Sequence, residues 1–191
     1  ILMTEWQDQR TMFLDDMSLI PQMSEEALRM VSPVKHMRRT ALADTELNGQ
    51  RIAKDEKVVM WYGAGNRDPE MFPNPDVFDM TRDNVSKHIA FGHGIHNCLG
   101  SRVAQMQLRG AYEQIFARFP NIEFTGHIKY GPNALVHAIS KLKVNLYGQG
   151  NARPIKRQVK ALEPAPVRSE AREDAELEPV AMSSPKQAPA T

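Results

Sequence analysis

The only cysteine of the chain lies in a glycine-rich segment directly ahead of the longest predicted helix. The segment reads Phe91-Gly92-His93-Gly94-Ile95-His96-Asn97-Cys98-Leu99-Gly100. The first N–H groups of a helix have no partner inside the helix and carry partial positive charge, so a sulfur held beside them is stabilised as a thiolate. The glycines allow a tight loop and the close approach of a flat ligand. The pattern therefore predicts a loop that offers a thiolate to a metal ion or to a nucleophilic reaction.

On the residues alone, three interpretations of Cys98 stay open. Cys98 is either a small buried hydrophobic side chain, or one member of a zinc site with His88, His93 and His96, or a nucleophile activated by His96. The zinc interpretation has the weakness that all its ligands come from one loop. The nucleophile interpretation lacks a recognisable oxyanion-binding element.

Charge and composition exclude several classes of protein. The chain has 24 Lys+Arg and 23 Asp+Glu, a net charge of +1, which argues against binding nucleic acid or a membrane surface through bulk charge. No run of about 18 apolar residues is present, so no transmembrane helix is expected. A single cysteine allows no intrachain disulfide and favours a reducing, cytoplasmic compartment.

The proline content divides the chain into two parts. Residues 151–191 hold six of the 13 prolines and have no aromatic residue and no glycine. Such a stretch buries too little apolar surface to offset the entropy of ordering it. We therefore expect a folded part at 1–148 and a disordered tail at 149–191. The first residue is Ile1, in the middle of a helical pattern, and we expect the chain to be a piece of a longer protein.

Local patterns predict the elements of the folded part. Ser24 is the expected N-cap of a helix over Glu25–Val31. Asn48-Gly49 predicts a two-residue hairpin turn. A helix is expected over Leu99–Phe119, and alternating apolar residues over 142–146 predict a half-buried strand. An apolar stripe is expected on that helix, formed by Val103, Met106, Ala111, Ile115 and Phe119. A long irregular segment, rich in Gly, Pro, Asn and Asp, is expected over 63–88.

Four segments, in order and at matching spacing, resemble the cytochrome P450 family over about Leu19 to Leu146. The decapeptide around Cys98 resembles the family's haem-binding signature in its bacterial form. Glu26-Ala27-Leu28-Arg29 resembles the E-x-x-R of the K helix. A third segment, His36-Met37-Arg38-Arg39-Thr40-Ala41, resembles the family's strand whose arginine meets a haem propionate. A fourth, Gly65-Asn66-Arg67-Asp68-Pro69 followed by Phe78-Asp79-Met80-Thr81-Arg82, resembles the family's meander.

The resemblance implies a role for each matching residue. Cys98 would be the axial thiolate ligand of the iron of haem b, and His96 and Arg39 would contact the haem propionates. Phe91 would shield the thiolate, and Gly92, Gly94 and Gly100 would shape the loop around the haem. A buried structural cluster would consist of Glu26, Arg29 and Arg82. Arg82 takes the third place because Val77 stands where many relatives have arginine.

The implied fold is mainly α with small β-sheets, and the implied activity is that of a haem-thiolate monooxygenase. The resemblance is closest to bacterial terminal hydroxylases of alkanes and fatty acids, followed by hydroxylases of steroid or isoprenoid chains. It implies a lipophilic substrate contacted by Pro33–Met37 and Asn133–Val136. Electrons would come from a ferredoxin and its NAD(P)H-dependent reductase, docked near Arg102 and Arg109. The oxygen-activating helix of the family is missing, so the fragment alone is expected to be inactive. The alternative is a non-catalytic haem- or zinc-binding interaction module.

Overall fold

The first 31 residues of the computed structural model are mostly helical, and the model describes residues 1–126 and 128–148. Two helices and a 3₁₀ turn at Met17–Leu19 lead into a third, longer helix. The three helices are α1 (Leu2–Glu5), α2 (Gln7–Asp15) and α3 (Ile20–Val31). Helix α3 starts earlier than predicted because Pro21, in its first turn, favours helix initiation. The predicted N-cap at Ser24 is therefore wrong: this buried hydroxyl donates to the carbonyl of Ile20 inside the helix.

Two antiparallel strand pairs follow α3. The outer pair is β1 (His36–Thr40) with β4 (Lys57–Trp61), and the inner pair is β2 (Thr45–Leu47) with β3 (Gln50–Ile52). Asn48 and Gly49 connect the inner pair with φ angles of 49° and 77°. Positive φ at both central residues is the requirement of a type I′ turn, so the predicted hairpin is confirmed.

A long irregular segment joins the sheets to the last helix. It begins after a single helical turn, α4 (Tyr62–Gly65), and contains two 3₁₀ turns, at Val85–Lys87 and Gly94–His96. The predicted irregular region is thus present, and it extends through the cysteine loop. The helix α5 (Ser101–Arg118) then begins two residues later than predicted and ends one residue earlier.

Four short strands close the described part of the chain. They are β5 (Glu123–Phe124), β6 (Lys129–Tyr130), β7 (Ile139–Lys141) and β8 (Val144–Asn145), paired as β5 with β8 and β6 with β7. The continuous half-buried strand predicted over 142–146 is wrong, because Leu142, Val144 and Leu146 are all exposed and only β8 is paired. The proposed tail at 149–191 lies outside the described residues.

The hydrophobic core lies between the N-terminal helices and the C-terminal half of α5. Phe13 of α2 and Phe116 of α5 meet edge to face with ring centroids 4.8 Å apart. Arg10 ties the same two helices together, because its guanidinium donates to the carbonyls of Pro120 and Ile122 after α5. The predicted apolar stripe on α5 is wrong: Val103, Met106, Ala111 and Ile115 are all exposed, and Phe119 is half-buried. None of the helices in the described residues is long and apolar enough to cross a membrane.

Candidate haem-thiolate site

The loop around Cys98 is closed by backbone hydrogen bonds. The N–H of Cys98 donates to the carbonyl of Phe91 at 2.8 Å, and the N–H of Asn97 donates to Gly94 at 2.9 Å. Because these bonds join the two ends of the loop, Cys98 is held at its neck. Helix α5 begins three residues after the cysteine, and the N–H of Ser101 donates to the carbonyl of Cys98 at 3.1 Å. Cys98 therefore lies one turn ahead of the helix rather than directly before it.

The glycines of the loop are required for different structural reasons. Gly92 and Gly94 have φ angles of 78° and 66°, in the left-handed region that favours glycine. A Cβ at position 92 would lie 3.2 Å from the carbonyl oxygen of His96 and 3.4 Å from the hydroxyl of Tyr62. A Cβ at Gly100 would lie 3.8 Å from the sulfur of Cys98. The glycines thus allow the turn at Gly92 and leave space beside the sulfur at Gly100.

The cysteine is surrounded by apolar side chains that the described residues leave uncovered. Cys98 is exposed, and Ile95 and Leu99 are 98% and 101% exposed. Val103, one turn further along α5, is also exposed. Phe91 is half-buried at the base of the loop. Exposed apolar side chains at nearby positions of the chain fit the binding of an apolar group beside the thiol.

The two cationic residues expected beside the haem are placed on separate elements. Arg39 lies on β1, half-buried on the same face as Met37, Met60 and Val58, whereas Arg38 is on the opposite, exposed face. The only hydrogen bond found for the Arg39 side chain goes to the carbonyl of Arg38, and within the described ranges no ion pair involves it. His96 is exposed at the end of the loop's 3₁₀ turn.

The Glu26–Arg29–Arg82 cluster is assembled in the structure. Glu26 and Arg29 are fully buried, and their side chains form two hydrogen bonds, of 2.7 and 2.8 Å. Arg82 reaches the same carboxylate at 3.1 Å. Arg29 also donates to the carbonyls of three residues of the irregular segment, Asn66, Pro75 and Val77. The cluster therefore fastens residues 66–82 to α3.

A second polar cluster contains His88, which the zinc interpretation assigned to a metal. Its Nε2 is 2.8 Å from a carboxylate oxygen of Glu25, and its Nδ1 accepts from the N–H of Ala90. Gln105 of α5 donates to the other oxygen of Glu25 at 2.7 Å. Burial by itself would raise the pKa of Glu25, but the hydrogen bonds from His88 and Gln105 outweigh it, and the pKa lies below its ordinary value.

The zinc interpretation finds no support in this geometry. Both ring nitrogens of His88 are engaged by protein groups, so the ring has no nitrogen available for a metal shared with Cys98. Across residues 1–126 and 128–148, no group of three or more His, Cys, Asp or Glu could hold a metal ion. The sequence analysis missed Glu25 and Gln105 entirely, because a glutamate beside Glu26 and a glutamine on a helix carry no recognisable motif.

The segments expected to contact a substrate lie side by side. The chain after α3 pairs with the chain near the last strands through a bridge between Val34 and Val136. The N–H of Lys35 donates to the carbonyl of Leu135, and its Nζ to the carbonyl of Asn133.

The two arginines expected to dock an electron-transfer partner differ in their availability. Arg102 is exposed, whereas Arg109 pairs with Glu113 at 2.9 Å.

Comparisons with known proteins agree on one family. The family described as Cytochrome P450 matches residues 6–126. Linalool 8-monooxygenase of Pseudomonas putida is 40% identical over 146 residues, which cover 76% of this chain and 36% of that protein. Cytochrome P450-terp of a Pseudomonas species is 40% identical over 62% of this chain and 28% of its own length.

Solved structures give the same result. Cytochrome P450-153 from Novosphingobium aromaticivorans superposes with a TM-score of 0.70 at 42% identity, over 75% of this chain and 36% of that chain. P450BioI, in complex with an acyl carrier protein that carries hexadec-9Z-enoic acid, has a TM-score of 0.71 at 36% identity, over 74% and 37%. The chain thus spans between 28% and 37% of the length of these relatives. The mainly α fold with small sheets is shared with them, and the chain belongs to the cytochrome P450 family.

Proposed function

We propose that this chain supplies the haem-ligating part of a bacterial haem-thiolate monooxygenase, an oxidoreductase, with Cys98 as the iron ligand. The observation that carries the proposal is the closed loop that presents an exposed cysteine amid uncovered apolar side chains. Ile95 and Leu99 are almost fully exposed beside the sulfur. Exposed apolar side chains that are grouped at one place on a protein surface mark a site that a ligand or partner covers.

The described residues fit haem b by their chemistry. The sulfur of Cys98 is the donor, and the absence of side chains at Gly92, Gly94 and Gly100 gives a flat ring access to it. Arg39 has no carboxylate partner within the described ranges, so its charge is available for a haem propionate. His96, exposed at the end of the loop, would serve the second propionate.

When bound through a thiolate, haem supplies the electron push that favours cleavage of the O–O bond. The protein's task is to keep Cys98 at the neck of its loop and to shield it from water. The hydrogen bond from the Cys98 N–H to the carbonyl of Phe91 holds the cysteine at the neck. Phe91 is half-buried, with its ring centroid 6.0 Å from that of His88, and contributes to shielding the cysteine from water. The Glu26–Arg29–Arg82 cluster holds the meander, residues 66–82, in place behind the loop.

We propose a lipophilic substrate, an alkane, a fatty acid or a steroid or isoprenoid chain, oxidised at an unactivated C–H bond. The two chain segments paired through Val34 and Val136 place aliphatic side chains next to each other, where they could contact such a substrate. The relatives support the class: one is named for linalool, and another was solved with a fatty acid on its carrier protein. Neither name identifies the substrate of this chain.

We propose a ferredoxin, reduced by an NAD(P)H-dependent reductase, as the electron donor. Arg102 supports this proposal because it is exposed near the start of α5, four residues from the proposed ligand, where an acidic partner has access to it. Arg109 is a weaker candidate because Glu113 neutralises it. The single free cysteine is consistent with our expectation of a cytoplasmic location.

The test is a chimera in which residues 1–148 replace the matching part of cytochrome P450-153. We expect this protein, supplied with NADH, a ferredoxin and its reductase, to hydroxylate a lipophilic compound from a panel of alkanes, fatty acids and terpenols. The Cys98→Ser chimera should lose that activity. The 191-residue chain alone should neither bind haem tightly nor turn over, because it would offer haem a proximal face and no distal wall. Haem binding without turnover in the chimera would favour a non-catalytic haem module.

A further inference from the structure

Glu25 joins the two chain segments that enter and leave the Cys98 loop. One carboxylate oxygen meets Nε2 of His88, which precedes the loop, at 2.8 Å. The other oxygen accepts from Gln105 on α5, which follows the loop, at 2.7 Å. A single side chain on α3 therefore contacts both sides of a loop that Cys98 and Phe91 close at its neck.

The contact on the entry side continues into the backbone. Nδ1 of His88 accepts from the N–H of Ala90 at 3.1 Å, so the imidazole links the Glu25 carboxylate to the chain just before Phe91. The ring of His88 also lies 6.0 Å from the ring of Phe91. Any rotation of His88 away from Glu25 would break its bond to Ala90 or move Phe91. The position of Phe91 in turn sets the carbonyl that accepts from Cys98.

These hydrogen bonds matter because the loop has little packing of its own. Every residue from His93 to Gly100 is exposed. The side chain of His88, by contrast, is 2% exposed and that of Glu25 is 20% exposed. Hydrogen bonds to a charged, partly buried group are stronger than neutral ones. The Glu25 contacts therefore hold the loop on both sides, and the buried Asn66, whose Oδ1 accepts from the N–H of Ile89 at 2.7 Å, adds a contact on the entry side.

Glu25 and the neighbouring Glu26 serve different segments. Glu26 binds Arg29 and Arg82 and so fixes the meander. Glu25 has no contact with either arginine among the bonds of the described residues, and reaches His88 and Gln105 instead. Successive residues of a helix point about 100° apart, so two consecutive glutamates can serve two segments of chain.

We propose that Glu25 is a positioning residue which, through His88 and Gln105, sets the placement of Cys98. The inference deepens the proposed function, since Cys98 is the proposed iron ligand. Its test does not depend on haem, so the two proposals can fail separately.

The test is amide hydrogen exchange on the full 191-residue chain, comparing Glu25→Leu and Glu25→Gln with the unchanged protein. Leucine has a similar size but accepts no hydrogen bond. We expect the amides of Ala90 and Cys98 to exchange about 10- to 100-fold faster in Glu25→Leu, because the loss of the bonds from His88 and Gln105 lets the segments that bear these amides open more often. Strands β1 and β4 should keep their protection. Glu113→Leu on α5 is the matched control and should leave the loop unchanged.

The conservative variant separates positioning from bulk. A glutamine at 25 can still accept from His88 and donate to a flipped Gln105 amide, so Glu25→Gln should restore most of the protection. Gln105→Leu removes only the contact after the loop and should speed exchange at Cys98 more than at Ala90; this milder variant decides the question if Glu25→Leu fails to fold. Unchanged loop exchange in Glu25→Leu or Gln105→Leu, or equal acceleration in the loop and in β1 and β4, would overturn the proposal.

Discussion

Arg29 is fully buried, yet its guanidinium makes as many hydrogen bonds as it has N–H groups. Two go to Glu26 and three to carbonyls of residues 66–77. The ring of Phe72 covers the guanidinium at 5.3 Å. A buried charge is tolerated only when it is paired and fully hydrogen-bonded, and this side chain meets that condition.

Replacing Arg29 by leucine should strongly destabilise the chain. The change leaves the buried carboxylate of Glu26 with Arg82 as its one cationic partner among the described residues, and it removes the Arg29 donors from the carbonyls of Asn66 and Pro75, whereas the Val77 carbonyl keeps Arg82. We expect a loss of about 3–5 kcal/mol in the free energy of unfolding, measured by urea denaturation. Arg51→Leu is the control, because its pair with Asp44 is exposed and should contribute little. Equal effects of the two substitutions would contradict the buried cluster.

At this scale the sequence was most informative where residue type and spacing form a motif. The contact between Glu26 and Arg29 is present, and Arg82 completes the cluster even though Val77 offers only its carbonyl. His88 was assigned to a possible zinc site because histidine beside cysteine suggests a ligand. Its real partner, Glu25, is 63 positions away along the chain, and no local pattern encodes such a contact.

The cysteine loop and α5 differ in what they demand of glycine. Gly92 needs a positive φ and close contact with the carbonyl of His96. Gly110 lies inside α5, exposed, and a Cβ there would meet nothing within 4 Å. The two glycines allow opposite predictions from the same substitution.

Gly92→Ala should lower the free energy of unfolding of the chain, and Gly110→Ala should raise it. A left-handed backbone costs an alanine about 1–2 kcal/mol, and the close carbonyl adds to that cost. An alanine in an exposed helix interior gains about 0.5–1 kcal/mol over glycine. Urea denaturation of both variants against the unchanged chain measures the difference. A Gly92→Ala variant as stable as Gly110→Ala would show that the loop is not held as described.

The sequence predicts a helix or turn correctly where neighbouring residues determine it, and incorrectly where packing against distant residues determines it. Asn48-Gly49 encodes its own turn, and the hairpin is present. Ser24 has a cap-like residue type, but Pro21 starts the helix earlier. On α5, periodicity alone could not show which face of the helix packs on the core. Tyr112 and Phe116 face the core, whereas Ala111 and Ile115, one position before each, are exposed, as are Val103 and Met106.

In residues 1–126 and 128–148, a packed hydrophobic core is accompanied by an open surface of exposed apolar side chains near Cys98. Phe13, Phe78 and Phe116 belong to the core. The open surface contains Ile95, Leu99, Val103 and Met106, all on or next to the Cys98 loop. Because the chain spans about 36% of linalool 8-monooxygenase, we interpret this surface as the face that haem and further P450 structure would cover. The composition of the chain gave no sign of it.

Ligation of the iron by Cys98 is tested most sharply by the carbon-monoxide difference spectrum of the reduced chimera with cytochrome P450-153. We expect the red-shifted Soret band of a thiolate-ligated haem for the parent chimera and its loss in Cys98→Ser. A Glu113→Leu chimera should keep the band, which controls for substitution as such. A parent chimera that binds haem without a thiolate-type band, or a band that persists in Cys98→Ser, would contradict Cys98 as the iron ligand.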